Sequence, residues 1–287
     1  MARTLSVGYD LKRVSQTYRS FSNWGSLLRA MFAQAAGRGP AEITFRSRSG
    51  VLLTCPNQPG ARLPAYEQFA EDGYRLAWFL GGLSTRPIHV VDVGAHVGAF
   101  ACNVATRHPQ ATIDCFEPSA ETADYLERNV AANHLDGRVR VHRAAMSAET
   151  GTATFDDNGA GSVHNGLVHD GQRLVRSEGD QGASGRTLQV ATVGFDEFVS
   201  TAPQPVDVVK LDCEGGEYEL VYGSSPASWS TVQRVVMEHH PVEGESWSTL
   251  RSWFAAAGLH EVASHDVTDS LGTAWLSRDP IPAVAAR

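Results

Sequence analysis

Val90-Val-Asp92-Val-Gly94-Ala-His-Val-Gly98 decides the fold. An apolar run ends in an acid and passes through two glycines, four residues apart, into a helix expected from about Phe100 to Arg107 and stopped by Pro109. Glycine allows the tight turn and lets a ligand approach the backbone. The rhythm of strand, turn, helix and strand continues downstream. Thr112–Pro118 reads as the next strand, with Ser119 as the N-cap of a helix that closes near Leu135 and Gly137. Val139–His142, Val206–Asp212 and Val232–Met237 follow as strands, then a helix over Trp247–Ala257 and a late strand at Ala274–Ser277. Strands alternating with helices at this spacing predict an α/β, doubly wound, mostly parallel sheet.

Upstream, the first 40 residues read as helical and end in the breakers Gly37-Arg-Gly-Pro40. Two short apolar runs, Ile43–Ser47 and Val51–Thr54, flank Arg48-Ser-Gly50 and predict a β-hairpin. Residues 1–64 are therefore expected to form an accessory extension and residues 65–287 the main domain, which would open with a helix over Tyr66–Leu80. One segment breaks the rhythm. Residues 156–186 are rich in Gly, Ser, Asp and Asn and long for a plain loop, so the segment is either disordered or, as its place on the ligand side of the sheet favours, a lid ordered by substrate.

Charge narrows the function classes. The chain has 287 residues, with 24 basic against 32 acidic groups and a net charge of −8, which argues against binding nucleic acid through phosphate neutralisation. Residues 1–48 carry a local +6, so the remainder sums to −14, and the basic lead segment is expected to be solvated or docked on the acidic body. Four cysteines without CxxC spacing fit a reducing cytoplasm. No run reaches the ~18–20 apolar residues of a membrane span. Leu27–Ala36 is interrupted by Arg29 and reads as an amphipathic helix rather than a signal peptide. Only two lysines occur, Lys12 and Lys210.

Three groups of residues carry chemistry. Asp92 at the first strand end is matched, 25 residues on, by Glu117 at the second, where Rossmann-like sheets place an acid on ribose hydroxyls. The turn lacks G-x-G-x-x-G, and its acid would repel a diphosphate, which disfavours an NAD-dependent oxidoreductase. S-adenosylmethionine (SAM), with no phosphate and a cationic sulfonium and ammonium, suits an acidic strand end. The second group, Lys210, Asp212 and Glu214, alternates out of an apolar strand so that all three face one way, with Glu217 and Glu219 opening the next helix. Buried charges crowded at a strand end must pair or bind a ligand or metal. The third is Glu238-His239-His240, expected beside Asp212, where a histidine could take a proton from a hydroxyl. Asp, Glu and His together could also hold a divalent metal, although no metal-ligand spacing singles out a set.

From about Glu71 to Ser277 the chain resembles the FkbM-type family of SAM-dependent methyltransferases, with the class I Rossmann-like fold and its seven-stranded sheet. The carrying segments are Val90–Gly98, Phe116-Glu-Pro118, Glu127–Asn133, Ala144–Ser147, Val206–Glu217 and Glu238-His239, of which Lys210-x-Asp-x-Glu-Gly-x-Glu217 is the most specific. His96 stands where the family more often has Asn, and Gly216 where Ala is usual. The resemblance implies that Asp92, Gly94 and Gly98 line the methionine part of SAM, with Ala95, His96 and Asp212 beside it. It implies that Glu117, next to Pro118, binds the ribose, that Ala145 lies near the adenine, and that Glu71 meets the amino group.

The expected function is a cytoplasmic SAM-dependent methyltransferase, acting on a hydroxyl of a small metabolite, sugar or glycosylated natural product. His239 or His240 is expected as the base, Asp212 and Glu214 as orienting groups for acceptor or metal, and Lys210 as their anchor. The acidic body suits a cationic acceptor such as an aminosugar. The rival is a SAM-binding or partner-binding module without catalysis.

Overall fold

The computed structural model describes residues 7–83, 85–162, 165–168, 186–268 and 271–281, the side chains from residue 11 onward. Its centre is a seven-stranded sheet built from β3 (Ile88–Val93), β4 (Ala111–Phe116), β5 (Val139–His142), β10 (Val208–Leu211), β11 (Arg234–His239), β12 (His260–Asp266) and β13 (Gly272–Ser277). The spatial order is β12-β13-β11-β10-β3-β4-β5. β5, β4, β3, β10 and β11 run parallel, and β13 pairs antiparallel with both β11 and β12. The expected class I architecture is thus present.

Period-2 alternation splits the sheet into two buried faces. Val90, Ile113, Val208 and Val236 pack with residues of α5 (Ala99–Arg107) and α6 (Ala120–Ala132). Val91, Val93, Val209, Leu211 and Met237 pack on the other side with Phe195 of α7 (Phe195–Thr201), Leu220 of α8 (Glu217–Gly223) and Phe254 of α9 (Trp247–Ala256). Among the described residues, no helix is long and apolar enough to cross a membrane.

The extension begins with α1 (Val7–Ser20) and α2 (Trp24–Ala35) and continues into the hairpin of β1 (Glu42–Arg46) and β2 (Leu52–Pro56). Phe21, Leu27, Phe45 and Leu53 share a hydrophobic cluster with Val97 and Ala99 of the glycine turn and Tyr125 of α6. Side-chain amides bond the outer edges of the hairpin. On β2, Asn129 exchanges both bonds with Thr54 (N–H to Oδ1 2.7 Å, Nδ2 to O 2.9 Å), and Asn133, one turn on, does the same with Leu52 (2.8 and 2.7 Å). On β1, Asn23 donates to Thr44 O and accepts from Arg46 N–H. The i, i+4 spacing of Asn129 and Asn133 matches two residues of a strand, so the helix acts as a third strand. Asn129 Nδ2 also donates to Val97 O at 2.8 Å, which ties the clamp to the glycine turn. Asn129→Asp keeps the acceptor and loses both donor bonds, so it is expected to cost about 2–3 kcal/mol, read as a lower midpoint in urea.

Three expectations change. The helix over Tyr66–Leu80 is broken into α3 (Leu63–Tyr66), a wide π turn (Glu67–Glu71) and α4 (Leu76–Phe79). The break falls at Asp72 and Arg75, both in the left-handed region (φ 50° and 49°), around Gly73. Ser119 sits at the N-cap of α6, but its hydroxyl donates to Asp157 Oδ1 and accepts from the Thr122 hydroxyl, and bonds no backbone N–H of the helix. The glycine-rich segment begins and ends in a second sheet, where β7 (Gly151–Asp157) pairs with β9 (Arg186–Gly194), flanked by β6 (Ala145–Ser147) and β8 (Gly166–Leu167). Residues 163–164 and 169–185 of the expected lid lie outside the described residues. The basic lead segment docks in part on the body, since Lys12 and Arg13 pair with Glu71 at 3.3 Å.

Candidate active site

β3, β10 and β11 deliver their last side chains to one end of the sheet. Register sets Lys210 beside Asp92 and Leu211 beside Met237, so Asp212 and Glu238 leave neighbouring strands together. Lys210, buried to 3% exposure, lies 3.3 Å from Asp92 Oδ1 and 3.2 Å from Asp212 Oδ2. Its ammonium also donates to Gly94 O at 2.7 Å, so one lysine joins the glycine turn to both acids. Burial opposes that charge, but Asp212 and Asp92 outweigh it and raise the lysine pKa above its usual range. Asp92 is fully buried, and burial raises its pKa against the pull of Lys210. Tyr74, from the break before α4, donates to Asp212 Oδ2 at 3.1 Å.

The glycine turn is tight against β10. Gly94 has φ 72°, and a Cβ there would stand 1.8 Å from Asp212 O, so no other residue fits. His96 is left-handed as well (φ 50°), a conformation Asn, Asp and His tolerate better than most residues. Burial lowers the His96 pKa to about 4, so its Nε2 carries the proton and donates to Ser162 O at 3.2 Å. Glu117 accepts from His96 N–H and Ser119 N–H, each at 2.9 Å and each on a different oxygen. Burial pushes its pKa to about 7 despite those bonds.

A second acidic layer surrounds His240. Glu217, wholly buried, accepts from Cys213 N–H (2.8 Å), Gly215 N–H (2.9 Å) and His240 Nδ1 (3.0 Å). Burial works against a charged imidazole, but Glu217, Glu214 and Asp212 carry the His240 pKa to about 10. Glu238 moves the other way for an acid. Burial, then the Asp212 charge, pushes it to about 8.

Of the residues expected from sequence, the structure gathers Asp92, Gly94, Ala95, His96, Gly98, Glu117, Lys210, Asp212, Glu214 and His240 at this end of the sheet. Pro118 follows Glu117 directly, and Ala145 is buried on β6 with Phe155 and Val190. Two expectations are corrected. Glu71 is bound by Lys12, Arg13 and Gln16 of α1, and the acid that feels Asp212 and Lys210 is Glu67, one turn earlier, which burial and Asp212 push to about 7. His239 points to the opposite face of β11 from Glu238 and His240, where it stacks on Trp247 with ring centroids 5.0 Å apart. Its neighbour His240 already holds a proton at neutral pH and is a poor base. Glu67, Tyr74 and Glu238 complete the site; only Glu238 carried a sequence signal, its place at a strand end.

The donor set fits SAM. Both oxygens of Asp92 are buried and, beyond the Lys210 ion pair to Oδ1, accept no hydrogen bond, and the buried Nδ1 of His96 has none either. Each Glu117 oxygen keeps a second lone pair for a ribose hydroxyl. Acids outnumber cations around the turn, which suits a cationic ligand and not a diphosphate.

Comparison with known proteins agrees with this geometry. The 31-O-demethyl-FK506 methyltransferase FkbM of Streptomyces tacrolimicus is 26% identical over 255 residues, covering 77% of this chain and 96% of its own. Methyltransferase sdnD of Sordaria araneosa is 28% identical over 194 residues, covering 60% and 72%. The hexuronic acid methyltransferase AglP of Haloferax volcanii is 30% identical over 151 residues, covering 52% and 54%. The model of the methyltransferase FkbM domain matches residues 92–261, from the acid at the end of β3 to the start of β12, and the chain belongs to that family of SAM-dependent methyltransferases.

Proposed function

We propose that this chain methylates a hydroxyl oxygen on a sugar or a glycosylated natural product. The observation that carries the reading is the placement of Asp212, Glu214 and Glu238 together at the ends of adjacent strands, next to the turn that holds the cofactor. Carboxylates so placed accept hydrogen bonds from a polyhydroxyl ligand. The relatives named for a 31-O-demethyl substrate and for a hexuronic acid favour the same acceptor class.

SAM supplies a sulfonium methyl for in-line displacement. The protein's part is to align the acceptor oxygen and receive its proton. Lys210 fixes Asp92 and Asp212, Tyr74 holds Asp212 from above, and Glu238 takes the proton in its ionised form, so turnover is expected to rise as pH passes upward through about 8. Asp212 and Glu214 orient the hydroxyl. A cationic aminosugar would gain most from this acidic surround.

Calorimetry with S-adenosylhomocysteine tests the cofactor half. Glu117→Ala is expected to weaken binding by about 100-fold or more, the loss of two charge-assisted hydrogen bonds. Because ribose hydroxyls donate to the ionised carboxyl, wild-type affinity is expected to rise as pH passes upward through about 7. Labelled SAM with a panel of sugar and macrolide hydroxyl acceptors tests the other half. S-adenosylhomocysteine binding with no labelled product across the panel and the producing cell's extract would leave a SAM-binding module without catalysis.

A further inference from the structure

Among the described residues, Asp212, Glu214 and His240 form a group whose ligand atoms all lie within 4.8 Å of one another. We propose that these three side chains bind a divalent cation of the Mg2+/Mn2+ class at the mouth of the acceptor pocket.

Four observations support the site. Glu217 Oε1 accepts from His240 Nδ1–H at 3.0 Å, which leaves Nε2, 3.8 Å from Glu214 Oε2, as the ligating nitrogen, where a divalent cation would displace the proton that the surrounding acids favour. A carboxylate behind a histidine is the usual arrangement for an imidazole that ligates through its far nitrogen. Glu217 cannot swing away, because Cys213 N–H and Gly215 N–H hold both of its oxygens. His240 is only 7% exposed, and its Nε2 stands 3.8 Å from Glu214 Oε2. Lys210 and Tyr74 both engage Oδ2 of Asp212, which leaves Oδ1 for another partner.

Two carboxylates and one imidazole favour a cation that accepts oxygen with some nitrogen, and Mn2+ is the probe of choice. Three protein ligands leave coordination positions for water and for the acceptor oxygen. The site itself stands on the three side chains alone, while its role in placing the acceptor rests on the O-methylation reading above.

The test uses chelator-treated full-length protein and Mn2+ alone. Wild type is expected to show one saturable site by calorimetry, with spin-echo modulation from a directly bound 14N. Glu214→Gln is expected to weaken Mn2+ about 10-fold or more, and Glu217→Gln, which touches no ligand atom of the group but Nδ1's anchor, about 10–100-fold. S-adenosylhomocysteine binding, measured on the same samples, reports folding. Mn2+ that stays fully hydrated, or binds with affinity indifferent to both substitutions, overturns the site. S-adenosylhomocysteine binding without Mn2+ binding sinks the cation and leaves the methyltransferase reading intact. Mn2+ binding without S-adenosylhomocysteine binding does the reverse.

Discussion

Lys210→Met is expected to remove about 3–5 kcal/mol of stability, because it strands two buried carboxylates that share one ammonium. At roughly 2–4 °C per kcal/mol for a chain of this size, the melting temperature falls by about 10 °C. The donor bond to Gly94 O goes with it, so the glycine turn loosens and S-adenosylhomocysteine affinity is expected to drop as well. Lys210→Arg keeps the charge but brings a planar fork into a space shaped for a compact ammonium, and is expected to recover only part of the loss. Differential scanning calorimetry of the three proteins at one pH settles it. A Lys210→Met protein as stable as wild type would mean that Asp92 and Asp212 are not held as charged groups.

Glu238→Gln is expected to reduce kcat by about 10²–10⁴-fold, the usual contribution of a positioned proton acceptor. Gln keeps the shape and the polar tip and cannot take the proton. S-adenosylhomocysteine affinity and KM for SAM should change little, because Glu238 leaves β11, one strand farther from the glycine turn than Asp212. His239→Gln, on the opposite face of β11 against Trp247, should leave the chemical step intact and act only through packing. Steady-state kinetics with a turned-over acceptor separates the two. Equal losses in both variants, or a larger loss in His239→Gln, would move the proton acceptor away from Glu238.

The contrast between His239 and His240 also shows what could be read beforehand. Alternation along a strand sends adjacent residues to opposite faces, so once Val236 is fixed on the Lys210 side, His240 must share the site and His239 cannot. That parity is present in the sequence. What is absent is the environment that sets the proton: Glu217 reaches His240 from the start of α8, a contact between distant elements. β3, β4, β10 and β11 were legible because strands buried on both faces are continuous apolar runs. β12 was not, since His260-Glu-Val-Ala-Ser-His-Asp266 lies at the sheet edge, largely exposed, and lacks such a run. Glu67 and Glu71 lie four residues apart, and only the docking of α1 on Glu71 decides which of them turns to the site. Likewise the break at Asp72-Gly73 follows from Tyr74 reaching over the sheet to Asp212, a tertiary demand that local helix propensity does not register.

The amides that border the β1–β2 hairpin have a consequence beyond stability. A two-stranded sheet has two open edges, each a template on which another chain can add a strand and begin to aggregate. Here Asn129 and Asn133 occupy one edge and Asn23 the other, each offering the hydrogen bonds a foreign strand would bring. A side-chain amide satisfies the backbone as a strand does but has no further edge of its own, so the pairing stops there. The hairpin is thereby kept from recruiting copies of itself.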